Sequence, residues 1–238
     1  MGEKLFIVIP AYNEAENIRA VIEGWNKILN STCPGGGVLA VDDGSKDNTF
    51  SIIQDCAKNN PSIIPLTKKN GGHGSAVLFG YSYALAHGAD YVFQTDSDGQ
   101  TLPEEFPAFW ELRREYDAVL GGRPRRKDGV PRKFVESVLC LILRIIFGVK
   151  VPDANCPFRL MKAETLRKYL PRIPENFNIP NVMLTVYFAY FHERITFREI
   201  TFRPRQGGKN SINIRKIISI GIRAVKDFLR FRKDIKNA

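Results

Sequence analysis

The chain has 238 residues, 44% of them hydrophobic and 25% charged, a composition typical of a globular protein with one large domain or two small ones. Its net charge of +10 combines an acidic half, residues 1–120 with 9 Lys and Arg against 16 Asp and Glu (−7), with a basic half, residues 121–238 with 26 against 9 (+17). Four cysteines and three histidines without paired spacing exclude a zinc pattern, and the most apolar window, residues 138–147, is too short for a membrane-spanning helix.

The charge division indicates two kinds of partner. The acidic half suits cations, and the basic half suits anions, which could be phosphates, nucleic acid or a membrane surface. The N-terminus lacks the pattern of a signal peptide, so we expect free thiols and a cytoplasmic location.

Strand and helix patterns alternate four times in the first hundred residues. The predicted strands are continuous apolar runs, which are typical of strands buried on both faces of a sheet. They lie at residues 4–9, 38–41, 63–66 and 90–94. Helical patterns follow the first three strands. This alternation predicts an α/β fold with a mostly parallel sheet flanked by helices.

Polar motifs follow three of these strands at the point where each strand ends. They are PAYNE at residues 10–14, VDDGSKD at residues 41–47 and DSDGQ at residues 96–100. Ligands of open α/β sheets bind beyond the carboxyl ends of the strands, so we expect the motifs to meet in one site. Asp96, Asp98 and Gln100 alternate along a tight turn, and their hard oxygen atoms suit Mg²⁺ or Mn²⁺. An acidic loop in water is the alternative interpretation of DSDGQ by itself.

A fourth motif, NGGHG at residues 70–74, opens the third predicted helix. Its glycines either permit a tight turn or let backbone N–H groups approach a phosphate. His73 is either a helix-start residue or a ligand contact.

The four motifs, in this order, resemble the inverting GT-A glycosyltransferases of family 2, and in particular the dolichol- and polyprenyl-phosphate mannosyltransferase group. The resemblance is carried by residues 7–14, 41–49, 70–74 and 96–100. It implies a GT-A, Rossmann-like domain over residues 1–210 with a donor half, 1–120, and an acceptor half, 121–210. A basic amphipathic helix over residues 211–238 would follow.

The resemblance also implies roles for the motif residues. The donor would be a UDP- or GDP-sugar, bound with Asp42 or Asp43 at its base. The residues implied to contact this nucleotide-sugar are Pro10, Ala11, Tyr12, Glu14, Asp42, Asp43 and Asp96. Asp96 and Asp98 would hold Mg²⁺ or Mn²⁺, with Gln100 as a further ligand and Asp98 as a catalytic residue. The metal would neutralise the leaving diphosphate.

The second half resembles the same group more loosely. Arg123 follows a predicted strand at residues 117–120, and residues 153–159 resemble an Asp-Pro-x-x-Gly-Phe-Arg segment in which Ala154 replaces the proline. Residues 203–211 resemble an arginine-rich loop with different spacing. The resemblance assigns the acceptor phosphate to Arg123, Arg159, Arg205 and Lys209, the first two also as catalytic residues.

The acceptor decides whether a base is needed. A hydroxyl acceptor needs a general base, whereas a phosphate is already ionised and needs cations, which arginine supplies. Residues 121–238 contain no Glu-Asp pair. We therefore expect metal-dependent, inverting hexosyl transfer to a polyprenyl-phosphate-type lipid. The alternatives are transfer to a glycan or glycolipid hydroxyl in polysaccharide synthesis, with Glu175 as base, and, more remotely, a nucleic-acid-binding module, for which no recognition motif is present.

Two segments bear on the membrane. Residues 134–147 are apolar almost all round, which fits a buried or an interfacial helix, and residues 211–233 form a basic amphipathic pattern, which fits a helix packed on the domain or lying on lipid. We expect a peripheral protein at the inner face of the membrane, with room for a membrane-protein partner.

Overall fold

The computed structural model describes residues 2–123, 130–204 and 214–236, with side chains in these ranges except at 130–134, 214–222 and 236. Seven strands form one sheet: β1 (Leu5–Ala11), β2 (Gly37–Asp42), β3 (Ile63–Thr67), β4 (Tyr91–Gln94), β5 (Ala118–Gly122), β6 (Arg159–Lys162) and β7 (Ile195–Glu199). The α-helices among the described residues are α1 (Ile18–Thr32), α2 (Thr49–Ala57), α3 (His73–Ala86), α4 (Phe106–Trp110), α5 (Val130–Phe147), α6 (Ala163–Tyr169), α7 (Pro180–Tyr190) and α8 (Ile214–Lys236).

The sheet has the order β3-β2-β1-β4-β6-β5-β7. Only β6 runs antiparallel to its neighbours, β4 and β5. The prediction of a mostly parallel sheet flanked by helices is confirmed, because the apolar runs form strands that are covered on both faces, and all seven residues of β1 are buried. The sequence patterns did not predict β6 or β7. The first has only four residues and the second is a partly exposed edge strand.

Two hydrophobic clusters cover the two faces of the sheet. In one of them, side chains from α1, α2 and α4 pack on side chains of the strands, and the ring centroids of Trp25 and Phe93 are 4.9 Å apart. The other consists of side chains from α3 and α5 to α8. The predicted division near residue 121 falls inside β5, so the acidic and basic parts of the chain share one sheet.

The direction of β6 brings distant segments to one edge. The carboxyl ends of β1, β2 and β4 lie together because these strands are parallel. Since β6 is antiparallel to β4, its first residue, Arg159, pairs with the last residue of β4, Gln94. Residues 153–158 therefore lie beside the segment that follows β4.

Helix α8 packs against α5. Its described buried side chains include Phe228 and Phe231, whereas Leu229 is 50% exposed. Helix α5 buries Leu143 but leaves Ile145 70% exposed, so it is neither wholly buried nor wholly interfacial. Within the described ranges, every helix is too short or too polar to cross a membrane.

Candidate active site

The loops after β1 and β2 interlock. Asp43 N donates to Ala11 O at 2.9 Å. Asn13 has a φ of 55°, a conformation that asparagine tolerates. Asn13 N donates to Ser45 Oγ, and Lys46 N donates to Asn13 Oδ1. This arrangement leaves the Tyr12 side chain 37% exposed on the rim of the site.

The other predicted residues of the first loop lie deeper. Pro10 and Ala11 are buried at the end of β1. Glu14 is also buried, with Glu14 N donating to Thr49 Oγ1 and Asn17 Nδ2 donating to Glu14 Oε2. In this structure Glu14 joins the end of β1 to the start of α2.

The adjacent carboxylates of Asp42 and Asp43 have different surroundings. Asp43 accepts hydrogen bonds from Lys68 Nζ at 2.8 Å, Gly71 N at 3.0 Å and Gly72 N at 2.7 Å. These two glycine N–H groups are therefore committed to a carboxylate of the protein, not to a phosphate.

Asp42 is held by fewer groups. It accepts from Thr67 Oγ1 at 2.9 Å and from Ser45 N at 3.2 Å. A carboxylate has about four acceptor sites, so Asp42 retains more capacity than Asp43 for a further donor.

The DSDGQ turn places Asp96 next to the start of α3, with Asp98 two residues further on. Asp98 Oδ1 accepts from Gln100 N at 3.1 Å, and Gly99 has a φ of 70°, which favours glycine. His73 Nε2 lies 3.8 Å from Asp96 Oδ1, and its side chain is 52% exposed. The residue that starts α3 is thus also a neighbour of the predicted metal site.

The donor set fits a hard divalent cation. The described residues contain no group of three or more acidic, histidine or cysteine side chains arranged to hold a metal. Two carboxylates still suit Mg²⁺ or Mn²⁺ because such ions commonly complete their coordination with substrate phosphates and water. Asp96 and Asp98 would hold the ion. Gln100 would use Oε1, because its Nε2 donates to Arg203 O at 2.7 Å.

Gln100 also connects the metal turn to the basic half of the chain. Arg203 N donates to Gln100 O at 2.8 Å, so the chain passes the end of DSDGQ at Arg203. The side chain of Arg203 is exposed. The predicted acceptor residues Arg205 and Lys209 lie outside the described residues.

Arg123 is engaged by carboxylates. Its Nε and Nη2 donate to the two carboxylate oxygens of Asp153 at 2.7 and 2.9 Å, and Glu136 Oε2 lies 3.8 Å from Nη2. Burial would raise the pKa of Asp153, but the hydrogen bonds from Arg123 lower it. Burial and the nearby Asp153 charge raise the pKa of Glu136. The structure therefore places Arg123 at the expected sheet edge, where Nε and Nη2 of its guanidinium already donate to Asp153.

Arg159 is not on the acceptor surface. It is fully buried, and its guanidinium donates to Cys156 O, Asn181 O and Thr185 Oγ1 at 3.2, 3.0 and 2.9 Å. The assignment of Arg159 to the acceptor phosphate is corrected accordingly, because a buried guanidinium that is satisfied by protein oxygens is not available to a ligand phosphate. Glu175, the base of the hydroxyl alternative, is exposed in a turn.

Comparison with known families agrees with this geometry. The model of the glycosyl transferase family 2 matches residues 6–170, which is more than half of the chain. The chain belongs to glycosyltransferase family 2. It is accordingly a glycosyltransferase, and the remote nucleic-acid alternative is set aside.

Curated relatives of this family 2 glycosyltransferase extend the match. It is 30% identical over 218 residues to an undecaprenyl-phosphate mannosyltransferase of Micrococcus luteus, with 88% of each chain covered. It is 26% identical to an undecaprenyl-phosphate 4-deoxy-4-formamido-L-arabinose transferase of Serratia proteamaculans, covering 92% of this chain but 65% of that relative.

Solved structures share the fold. Glucosyl-3-phosphoglycerate synthase from Mycobacterium tuberculosis, in complex with Mn²⁺, UDP and phosphoglyceric acid, superposes with a TM-score of 0.71 at 17% identity, covering 97% of this chain and 78% of that one. The same synthase with Mn²⁺, UDP-glucose and phosphoglyceric acid gives a TM-score of 0.65 at 18% identity. The expected GT-A architecture of this family 2 glycosyltransferase is confirmed.

Sequence reasoning missed three residues of the site region. Glu136 is the one acidic residue in the apolar stretch 134–147, and Gln94 is the one polar residue of β4. An isolated polar residue in an apolar element is a signal for a buried partner. Asn181, which contacts Gln94, carries no such signal because it lies next to a polar segment.

Proposed function

We propose that this family 2 glycosyltransferase moves a sugar from a nucleoside-diphosphate sugar to the phosphate of a polyprenyl-phosphate-type lipid, with inversion and with a divalent metal ion. The observation that supports the proposal is that β1, β2 and β4 end at one edge of the sheet, so that DSDGQ follows β4 at the edge of the interlocked loops, and that Gln100 of this turn contacts Arg203. The names of the curated relatives, which act on undecaprenyl phosphate, support the acceptor class.

The donor would lie over the ends of β1 and β2. Tyr12 offers an exposed ring at the rim, and Asp42 is the better candidate for the base because Asp43 already accepts from three groups, Lys68, Gly71 and Gly72. Mn²⁺ with UDP or UDP-glucose in the structural neighbours supports a metal-bound nucleotide in this fold.

Asp96 and Asp98 would hold Mg²⁺ or Mn²⁺. When bound, the ion supplies Lewis-acid stabilisation of the charge on the leaving diphosphate. His73 lies beside Asp96 at the start of α3 and would donate a hydrogen bond to a diphosphate oxygen. These residues belong to the acidic half, so we assign donor chemistry to residues 1–120.

The acceptor would approach from the basic half. A phosphate oxygen of the lipid attacks the anomeric carbon, the bond to the diphosphate oxygen breaks on the opposite face, and no proton has to be removed. Arg203 is exposed beside the metal turn, and the chain continues to Arg205 and Lys209. We assign the acceptor phosphate to this segment, with Arg123 contributing the Nη1 that its pair with Asp153 does not use.

A specific observation favours the hydroxyl acceptor as the second candidate. Asp153 and Glu136 place two carboxylates beside Arg123 at the proposed acceptor side, and such a cluster could remove a proton from a sugar hydroxyl. The better-placed base is then one of these two residues rather than Glu175.

The membrane contact would use α5. Val135, Val138, Leu141 and Ile145 leave an apolar stripe exposed on α5, and Leu229 adds to it from α8. Exposed Arg223, Lys226 and Arg230 on α8 suit an anionic lipid surface. We propose peripheral binding at the inner face of the membrane, alone or beside a membrane-protein partner.

The test is a product assay. The purified chain is incubated with UDP- and GDP-sugars, with Mn²⁺ or Mg²⁺, and either with undecaprenyl phosphate or with a hydroxyl-bearing glycolipid, and products are identified by mass. We expect a glycosyl phospholipid from one nucleotide class, and no product from Asp98→Ala with an unchanged circular dichroism spectrum. Transfer only to the hydroxyl acceptor, or full turnover by Asp98→Ala, would overturn the proposal.

A further inference from the structure

We propose that Gln94 and Asn181 are positioning residues for the metal carboxylate of Asp96, which they orient through a one-directional chain of buried hydrogen bonds that starts at Tyr81. The inference rests on the proposed role of Asp96 in metal binding. It concerns a second layer of residues that does not touch the metal or the substrate.

The chain of hydrogen bonds is continuous. Gln94 Nε2 donates to Asp96 Oδ1 at 3.1 Å, and Asn181 Nδ2 donates to Gln94 Oε1 at 2.7 Å. Tyr81 Oη lies 3.0 Å from Asn181 Oδ1 and donates to it. Gln94 and Tyr81 are fully buried and Asn181 is 3% exposed, so water does not compete for the two bonds that Asn181 makes to Gln94 and Tyr81, whereas the Asp96 side chain is 29% exposed.

The direction of each bond follows from the group at each end. The Asp96 carboxylate only accepts when ionised, so the Gln94 amide must present its nitrogen to it and its oxygen to Asn181. Asn181 must then present nitrogen to Gln94 and oxygen to Tyr81. Burial raises the pKa of Tyr81, which keeps its phenol protonated as the donor. Every donor in the chain therefore points toward Asp96, which fixes the orientation of the Gln94 amide behind the carboxylate.

Arg159 holds the far end of this chain in place. Its Nη1 donates to Asn181 O at 3.0 Å and its Nη2 to Thr185 Oγ1 at 2.9 Å, which fixes the first turn of α7. Thr185 Oγ1 also lies 3.0 Å from Ala154 O. The arginine predicted to hold the acceptor thus supports the residue that orients Gln94.

The chain also determines which oxygen of Asp96 is used by the protein. Oδ1 accepts from the Gln94 amide and lies 3.8 Å from His73 Nε2, so Oδ2 has more acceptor capacity for an ion. Removing a hydrogen-bond partner behind a metal ligand typically costs 10- to 100-fold in metal affinity. We expect a loss in this range when Gln94 can no longer donate.

Mn²⁺ binding tests the inference without turnover. Free Mn²⁺ is measured by electron paramagnetic resonance at saturating UDP or GDP, and thermal midpoints are recorded for the same samples. Gln94→Met and Asn181→Leu keep the side-chain size but remove the chain, and Tyr81→Phe removes only its first donor. Asn26→Leu is the matched control, because Asn26 is a buried amide that pairs with Ser62 at the start of β3.

We expect Gln94→Met to raise the Mn²⁺ dissociation constant about 10- to 100-fold. Asn181→Leu should also raise it. The double variant should have the same dissociation constant as Gln94→Met, because both substitutions interrupt one chain of hydrogen bonds. Tyr81→Phe should raise the Mn²⁺ dissociation constant by less. This variant still tests the inference if the substitutions at Gln94 and Asn181 prevent folding. Asn26→Leu should bind Mn²⁺ with the wild-type dissociation constant, whether or not its thermal midpoint changes. Wild-type affinity in folded Gln94→Met and Tyr81→Phe would overturn this inference alone. Absence of Mn²⁺ binding in wild type would overturn the proposed function together with it.

Discussion

Gln100 and Arg203 hold each other by a reciprocal pair of hydrogen bonds. Arg203 N donates to Gln100 O at 2.8 Å, and Gln100 Nε2 donates to Arg203 O at 2.7 Å. Gln100 closes the turn that carries Asp96 and Asp98, and Arg203 begins the basic segment that continues to Lys209. This residue pair therefore joins the proposed metal turn to the proposed acceptor segment.

Loss of the Gln100 side chain should loosen this junction. We expect Gln100→Ala to lower kcat/KM about tenfold, equivalent to about 1.4 kcal/mol, because both the metal turn and the acceptor segment lose a fixed neighbour. Steady-state kinetics with the two substrates varied separately would measure this. Gln54→Ala, at an exposed position on α2, is the control. An unchanged kcat/KM for Gln100→Ala would show that the pair does not matter for turnover.

Substitutions of the adjacent residues Asp42 and Asp43 should have different effects on stability and on nucleotide binding. Asp43→Asn removes the charge partner of Lys68 and weakens the hold on Gly71 and Gly72, so we expect the free energy of unfolding to fall by about 1–3 kcal/mol. Asp42→Asn should lower the free energy of unfolding less than Asp43→Asn does, and it should weaken nucleotide binding more. Chemical unfolding and calorimetric titration with UDP and GDP would measure both. The opposite ranking would assign the base to Asp43.

Acid stability offers a test at Asp117, at the start of β5. Burial would raise the pKa of Asp117, but hydrogen bonds from Arg194 and Lys162 outweigh it and lower the pKa from 3.8 to about 2. A lowered pKa stabilises the fold above pH 3.8, and this contribution is lost as the pH falls toward 2.

We therefore expect Asp117→Asn to lose about 1–2 kcal/mol at pH 7, after allowance for the exposure of Arg194. The difference from wild type should shrink as the pH falls from about 4 to about 2. Urea unfolding at several pH values measures it, with Glu115→Gln at an exposed position as control. A difference that does not depend on pH would contradict the ion-pair explanation. Donor binding should not change, because Asp117 lies at the opposite end of β5 from the site.

The apolar stripe of α5 predicts a membrane phenotype. Leu141 and Ile145 are 55% and 70% exposed, so changing both to serine should alter the free energy of unfolding by no more than about 0.5 kcal/mol each. Binding to phosphatidylglycerol vesicles should fall at least about tenfold, because two inserted aliphatic side chains are worth about 3 kcal/mol.

Vesicle sedimentation over a range of salt concentrations would measure this. Phe79→Ser changes another exposed apolar residue, on α3, and should leave vesicle binding intact. Equal binding by wild type and the α5 double variant would show that lipid does not contact this stripe.

The first hundred residues were predictable because their signals are local. Continuous apolar runs form β1 to β4, and the polar motifs follow directly at the strand ends, so topology alone brings Asp42 and Asp96 to one edge. The choice between Asp42 and Asp43 was not predictable. It depends on Lys68 and on two glycine N–H groups that only the folded chain brings close.

The second half carried weaker signals. Arg123 and Asp153 are separated by 30 positions, and their pairing depends on the antiparallel course of β6. An arginine in a motif also does not reveal whether it is exposed. Arginine is a common phosphate ligand, but Arg159 is the first residue of β6 and is buried against α7. Its guanidinium donates there to the backbone oxygens of Cys156 and Asn181.

The reversed course of β6 has a consequence for how this scaffold can change. The positions proposed to bind the donor follow β1, β2 and β4, and each of these strands is paired on both sides in the sheet. The segment before β6 is equally fixed, because the ring centroid of Phe158 lies 4.7 Å from that of Phe93 on β4 and Cys156 O accepts from Arg159. An engineered change of acceptor would therefore best keep residues 153–158 intact and begin with exposed side chains of the proposed acceptor segment, such as Arg203.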